Sequence, residues 1–293
     1  MTTTNIDLEI VSCDICQKDN PILMFEENGY FLNQCGGCGH YYVSPRPSLK
    51  DSRHLGEKEK PADAIHKQDE TRRKPIFEKY VGAVKKIVPA GKWLDIGCGC
   101  GTLMEVAHQR GFIVEGIEVD HERSAYCREA GLSVYEKDIE ADDLHPSSYD
   151  VVSLINVFSH LRSPMTTFSS IWRILREMGV IIVATSEVGK RAYRDEVDNW
   201  HIPDHLNFAG PNTLPLIESK LGFQLSYVSR SLTQKVVLLD KLAYRSERTI
   251  LNLAKFMLHH IPGLVSLTAA MTCLTRGYFY ARHEIVALLQ KKS

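Results

Sequence analysis

Three glycines at alternate positions, Gly97, Gly99 and Gly101, follow directly on the run Trp93-Leu94-Asp95-Ile96, and a helical pattern begins at Thr102. A buried strand, a glycine turn and a helix N-terminus are how an open α/β sheet builds a nucleotide site at its carboxyl edge. Glycine suits that turn because a Cβ would hold a ligand away from the backbone and disfavour positive φ. A dinucleotide fingerprint asks for GxGxxG or GxGxxA, whereas here the spacing is GxGxG and the sixth position is Thr102. Asp95, two residues before the first glycine, suits a ligand carrying an ammonium or sulfonium charge better than a pyrophosphate.

A second constellation lies in the first 50 residues. Cys13 and Cys16 form one CxxC and Cys35 and Cys38 another, with 18 residues between the pairs. Two thiolates three positions apart can turn inward on one ion, and two such knuckles complete a tetrahedral zinc site. Gly36, Gly37 and Gly39 supply the backbone angles a knuckle demands, and NGYFLNQ ahead of the second pair reads as a short strand. The alternatives are two disulfides or four separate thiols, and a cytoplasmic chain disfavours the disulfides. His40 is near enough to be a ligand, but four sulfurs already fill the ion's positions. A zinc with no open position is structural. Of the other four cysteines, Cys98 and Cys100 lie in the glycine turn and Cys127 and Cys273 read as core; none is expected to be a nucleophile.

The stretch WLDIGCGCG resembles the first motif of the class I S-adenosylmethionine (SAM) methyltransferases, roughly "LDIGCGTG", with Cys98 the usual residue of its GCG turn. The resemblance implies that Asp95, Gly97, Cys98, Gly99 and Gly101 surround the cofactor. FIVEGIEVD reads as a second strand ending in Glu118, 21 positions after Gly97, where such folds accept hydrogen bonds from ribose hydroxyls. LSVYEKDI places Asp138 after a third strand, and the resemblance implies a contact with the adenine amino group. YDVVSLINVFSHL is similar to the family's "fDlVv…dvleH" segment, with Asn156 and His160 near its end. GVIIVATSE, residues 179–187, reads as the fifth strand. A "P-R-P" ending after CxxCG, here residues 45–47, recurs in a methyltransferase group with an N-terminal zinc ribbon.

The remaining elements must position these residues. Apolar faces at Leu103, Met104 and Ala107, and at Met165, Phe168, Ile171, Trp172 and Leu175, predict crossover helices. Gly111, Gly131 and Gly222 fall where helices over 102–110, 121–130 and 212–221 need a left-handed C-terminal residue. Strand and helix alternate from about 93 to 230, which specifies an α/β, doubly wound sheet. The resemblance implies seven strands, Rossmann-like, the last antiparallel; strands six and seven are placed at Phe223–Val228 and His283–Gln290. The expected organisation is a zinc ribbon over 1–50, a linker and leading helix over 51–92, and a methyltransferase domain over 93–293. Ile76, Tyr80, Ala83, Val84 and Ile87 mark the leading helix; the charged stretch before it reads as a solvated linker or helix face. Residues 236–281 read as inserted helices: extra core, a homodimer surface, or a lid over a hydrophobic or lipid-linked acceptor.

Composition is that of an ordinary enzyme. The 293 residues are 44% hydrophobic with a formal net charge of -1, which gives no general attraction to nucleic acid or an anionic membrane. No basic, apolar leader opens the chain and no apolar run reaches the roughly 20 residues of a membrane span, so a cytoplasmic location is expected. A hydroxyl or C–H methyl acceptor needs a base, and histidine is the commonest. His160 follows strand four. His201 and His205 sit in DNWHIPDHLNFAGPNTL, which resembles the family's "HlnyFs…tL" segment on the acceptor side. Each could equally be a structural histidine; the expected base is His160 or His205. No (D/N)PPY follows strand four and no cysteine lies near strands four or five, which disfavours adenine and pyrimidine methylation. The expected acceptor is a small molecule or glycan, by O-transfer ahead of C- or N-transfer. Two other readings stay open: an RNA methyltransferase docking through its ribbon, as in bacterial ribosomal-RNA guanine methyltransferases, and a non-catalytic SAM-binding scaffold.

Overall fold

The structure, a computed structural model, describes residues 6–52, 61–138, 144–189, 199–232 and 283–292. The helices expected over 236–281, with Cys273, lie outside the described residues. Among the described residues, no helix is long and apolar enough to cross a membrane.

The chain opens with β1 (Leu8–Glu9), the hairpin β2 (Pro21–Glu27) and β3 (Tyr30–Cys35), then β4 (Tyr41–Val43), β5 (Arg46–Pro47) and the single turn α1 (Leu49–Ser52). Helices α2 (Ala62–Arg72) and α3 (Lys74–Lys85) lead into β6 (Gly91–Ile96), α4 (Thr102–Gln109), β7 (Phe112–Ile117), α5 (His121–Glu129) and β8 (Val134–Tyr135). The second half runs β9 (Tyr149–Ile155), a 3-10 turn (Phe158–His160), α6 (Pro164–Ile174), β10 (Leu175–Glu187), β11 (Asn207–Phe208), α7 (Thr213–Leu221), β12 (Phe223–Leu232) and β13 (His283–Lys291).

Seven strands form the main sheet in the order β12-β13-β10-β9-β6-β7-β8. Strands β8, β7, β6, β9 and β10 are parallel, and β13 is antiparallel to both β10 and β12. The expected strands six and seven are β12 and β13, each reaching slightly beyond its predicted end. The fifth strand starts at Leu175 rather than Gly179, with an irregularity between Leu175 and Val180. Gly111, Gly131 and Gly222 all take positive φ at the helix ends where the sequence placed them.

Each face of the sheet is covered. Trp93, Val151 and Ile182 pack against Phe77, Val84 and Leu103 of α3 and α4. Leu94, Val152 and Ile181 pack against Phe168, Ile171 and Ile217 of α6 and α7, and this core continues into Cys13, Ile15 and Tyr42. Two predicted faces shift. The inward residues of α3 are Phe77, Tyr80, Val81 and Val84, while Ile76 and Ile87 are exposed. Trp172 is 40% exposed, and the Lys291 ammonium lies over its ring at 4.0 Å. In α6 the buried positions are Thr167, Phe168, Ile171 and Ile174, one step round from the predicted stripe.

A second sheet has the order β11-β4-β3-β2. Three of its strands come from the cysteine-bearing segment, and β11 follows β10 of the main sheet. Asn207 pairs with Tyr42 and Phe208 with Tyr41, so the ribbon borrows an edge from the segment that carries His201 and His205.

Candidate functional site

The glycine turn forms because β6 ends where no side chain fits. A Cβ on Gly97 would lie 2.5 Å from Val157 Cγ2, so this glycine lets the turn close on the segment after β9. Gly99, at φ +56°, has open space where its Cβ would point. Gly101, also at positive φ, is the N-cap of α4. Cys98 contributes its backbone to the turn; its thiol is buried in a small cluster with Met104, Cys127 and Val134.

Glu118, just beyond β7, is 5% exposed. Its carboxylate accepts from the Gly99 N–H at 2.8 Å and from the Asp120 N–H at 2.9 Å, tying the second strand's end to the glycine turn. Burial raises its pKa, and those two N–H groups oppose the rise. Asp95 is buried and accepts the Ser153 hydroxyl at 2.5 Å; Ser153 in turn accepts the Trp93 indole N–H at 2.8 Å. Burial pushes the Asp95 carboxyl up to about 7, against the opposing pull of Ser153 and of Arg73. Asn156, the residue after β9, takes φ +59° and is exposed. Asp138 is exposed, in the last described position before residues 139–143. Asp95, Glu118 and the three glycines are brought together, with Asn156 on the adjoining strand end.

Sequence reasoning missed Arg73. It stands at the joint of α2 and α3, its guanidinium 4.9 Å over the Phe77 ring and 3.3 Å from Asp69. In the sequence it is one of three consecutive cations, Arg72-Arg73-Lys74, and nothing there separates the one that reaches the sheet.

The histidines expected from the sequence to line the acceptor side come from two distant segments. His160 ends the 3-10 turn after β9, and Asp204 and His205 precede β11. The His160 and His205 rings lie 4.7 Å apart, and His201 lies 5.3 Å from His205. His160 Nδ1 is 3.6 Å from Asp204 Oδ1. The adjacent His160 ring, with His205 and His201, holds the Asp204 carboxyl below the usual range, against partial desolvation. Arg123, in the first turn of α5, is shifted down by burial and faces the Asp204 charge.

Much of this arrangement is held from the ribbon side. Buried His40 donates from Nε2 to Asn207 Oδ1 at 3.0 Å and accepts at Nδ1 from Thr213 Oγ1 at 3.2 Å; Asn207 Nδ2 donates to the Leu161 carbonyl at 2.5 Å. That polarity requires a neutral ring, and burial lowers its pKa to about 4. His40 is therefore a joint between ribbon and acceptor side, not a ligand. Glu27 accepts from the N–H groups of Trp200 and Ile202, and Asn28 donates to the Ile202 carbonyl. Asp14 accepts from Ser163 and from the Met165 N–H, while Arg46 donates to the Arg162 carbonyl.

The four knuckle cysteines converge. Sγ separations are 3.6 Å for Cys13–Cys38 and 3.4 Å for Cys16–Cys35, and all four sulfurs lie within 4.8 Å of one another. Tetrahedral zinc with Zn–S near 2.3 Å asks for sulfurs roughly 3.8 Å apart. The donor set fits such an ion.

A family profile for a methyltransferase domain matches residues 58–228, more than half of the chain. A ubiquinone biosynthesis O-methyltransferase of Saccharophagus degradans is 30% identical over 126 residues, 41% of this chain and 53% of the relative. One from Pseudomonas aeruginosa is 31% identical over 109 residues, 35% and 47% of the two chains. The chain thus spans about half the length of the curated relatives it matches. Among solved structures, a SAM-dependent methyltransferase from Archaeoglobus fulgidus superposes with a TM-score of 0.54 at 17% identity, over 83% of this chain and 98% of the other. A Haemonchus contortus phosphoethanolamine N-methyltransferase 2 bound to SAM gives 0.54 at 14% identity, over 93% and 71%. At these identities the two structures show the shared fold. The sheet order and the glycine turn at its carboxyl edge agree with the profile match over more than half of the chain: the chain belongs to the methyltransferase-domain family.

Proposed function

We propose that the protein O-methylates a small-molecule or sugar hydroxyl, ahead of C- or N-transfer, with the acceptor seated between the glycine turn and the His160–Asp204–His205 cluster. The observation that carries this is the closure of the turn on the segment before His160: Val157 lies against Gly97, three residues from the histidine. The names of the curated relatives support oxygen as the accepting atom. SAM, when bound, supplies a methyl on a sulfonium, so the protein has mainly to align, exclude water and take a proton. Gly97, Gly99, Gly101 and the Cys98 backbone form the cradle, and Glu118 fixes the turn while keeping lone pairs for ribose hydroxyls. Asp95 and Arg73 set the charge beneath the turn. Asn156 borders the cradle, and Asp138 serves the adenine amino group. His160 or His205 takes the acceptor proton.

In the same reading Cys13, Cys16, Cys35 and Cys38 hold a structural zinc. The organisation is a ribbon over 1–50, a linker and leading helix over 51–92 and the transferase over 93–293, in a cytoplasmic protein. RNA docking through the ribbon is disfavoured because its Asp14, Glu27, His40 and Arg46 side chains are engaged with the chain's own acceptor side.

The test is calorimetric titration with SAM, S-adenosylhomocysteine and NADH, followed by transfer of labelled methyl to a panel of hydroxyl compounds. Binding of the first two alone, with transfer lost in His160→Gln or His205→Gln at unchanged cofactor affinity, is expected. Binding of NADH alone overturns the reading. Cofactor binding with no transfer to any hydroxyl, and none altered by the histidine variants, favours a non-catalytic scaffold.

A further inference from the structure

His160, Asp204 and His205 each offer one ligand atom, and these atoms all lie within 4.8 Å of one another. Two imidazoles and one carboxylate on one side of a point are the donor set of first-row divalent cations with open positions. The spacing is fixed by backbone, not by flexible side chains alone. The Leu206 N–H donates to the Ser159 carbonyl at 2.7 Å, joining the residues next to His205 and His160. Asn207 Nδ2 donates to the Leu161 carbonyl on the other side of His160. Both segments are in turn held by the ribbon. The ligand side chains remain reachable: His160 and Asp204 are 43% and 55% exposed. Among the described residues, Arg123 and His201 are the other charged or titratable groups facing Asp204.

We propose that these three residues bind one divalent transition-metal cation, separate from the cysteine ribbon, at which a chelating pair of acceptor oxygens such as a vicinal diol is held. The inference rests on the reading that methyl transfer occurs at this edge. Three protein ligands leave positions for water or for two substrate oxygens. A cation polarises a bound hydroxyl and lowers its pKa toward neutrality. The hydroxyl proton leaves to solvent water. The oxyanion's electron pair forms the new O–C bond to the methyl carbon, and the C–S bond breaks with its pair on sulfur, leaving a methyl ether and a neutral thioether. With the cation bound, His160 and His205 serve as neutral nitrogen ligands, and the cation's lowering of the hydroxyl pKa replaces the proton abstraction assigned to a histidine under the proposed function.

The experiment is a Co2+ titration of the full-length, zinc-loaded protein, followed by visible d–d absorption, with S-adenosylhomocysteine affinity measured in parallel by calorimetry. One equivalent is expected to bind without the thiolate charge-transfer absorption that displacement of ribbon zinc would give. Asp204→Asn and His205→Gln should each weaken Co2+ binding at least about tenfold at unchanged cofactor affinity and zinc content. His160→Gln, at an exposed position, gives the same reading should a variant at 204 or 205 fail to fold. No Co2+ binding beyond the ribbon up to millimolar concentration, or equal affinity in the folded variants, overturns the site. If transfer runs undiminished after chelation that spares the ribbon zinc, the cation's role in transfer falls while the methyltransferase reading stands. Failure of the wild-type protein to bind S-adenosylhomocysteine sinks that reading instead and leaves the Co2+ result to judge the cation site.

Discussion

At the scale of single residues, the glycine turn separates packed from open positions. Gly97 and Gly99 both take positive φ, so alanine at either costs about 1 kcal/mol of backbone strain. Only at Gly97 does the new methyl meet protein, at Val157, adding an overpacking cost of about 1–3 kcal/mol. Gly97→Ala should therefore lower the unfolding temperature well below that of Gly99→Ala. Gly99→Ala should instead lose most of its S-adenosylhomocysteine affinity, and thermal melts beside calorimetry check both. Asp95 gives a second prediction. Burial raises its folded pKa from near 3.8 to about 7, so the folded state holds a proton that the unfolded state has released. Its contribution is neutral below pH 4, erodes stability as pH rises from about 4 to 7, and levels off above that. Glu118 shifts in the same direction. The cofactor-free protein should lose melting temperature between pH 5 and 8, and Asp95→Asn should lose distinctly less. An equal loss in both would remove Asp95 as the cause.

At the scale of elements, the relay from Thr213 through His40 and Asn207 to the Leu161 carbonyl joins α7, the ribbon and the 3-10 turn. His40→Leu keeps the volume and removes both ring hydrogen bonds, leaving buried polar partners unmet at about 1–3 kcal/mol each. Amides at 158–161 and 204–208 should then exchange faster in deuterium-exchange mass spectrometry, while those of β6 and β7 stay protected. His40→Gln, which can still donate to Asn207, should recover much of the loss. None of this relay is legible in the sequence. The parallel part of the main sheet was legible because strand runs, glycine stops and 3.6-residue periods are local signals, whereas the seventh, antiparallel strand was expected from the family resemblance, and β13 lies at that place. Trp172 and Ile76 were misplaced because a helical stripe can rotate by one position without breaking its period. The closeness of His160 to Asp204, the shared edge between β4 and β11, and the reach of Arg73 depend on chain paths that meet only in the folded molecule.

At the scale of the whole molecule, the cysteine-bearing segment shares a core with the main sheet, and its side chains hydrogen-bond to residues 162–165 and 200–207. Glu27 and Asn28 grip residues 200–202, Asp14 caps α6, and Arg46 holds the Arg162 carbonyl; all four belong to the cysteine-bearing segment. The glycine turn is instead fastened by Glu118, by Val157 and Leu132 against its glycines and by Met104 beside Cys98, none of them in the ribbon. In small metal modules, binding free energy is largely folding free energy, so removing zinc should release the ribbon's hold before it disturbs the turn. Chelation of the proposed zinc is therefore expected to shift S-adenosylhomocysteine affinity by less than about threefold, under 1 kcal/mol. The same treatment should strip exchange protection from residues 158–165 and 200–208 and abolish methyl transfer. Readdition of zinc should restore both together. A parallel loss of cofactor affinity on chelation would show the two halves to be one cooperative unit, and unchanged protection at 200–208 would show that the ribbon does not hold the acceptor side.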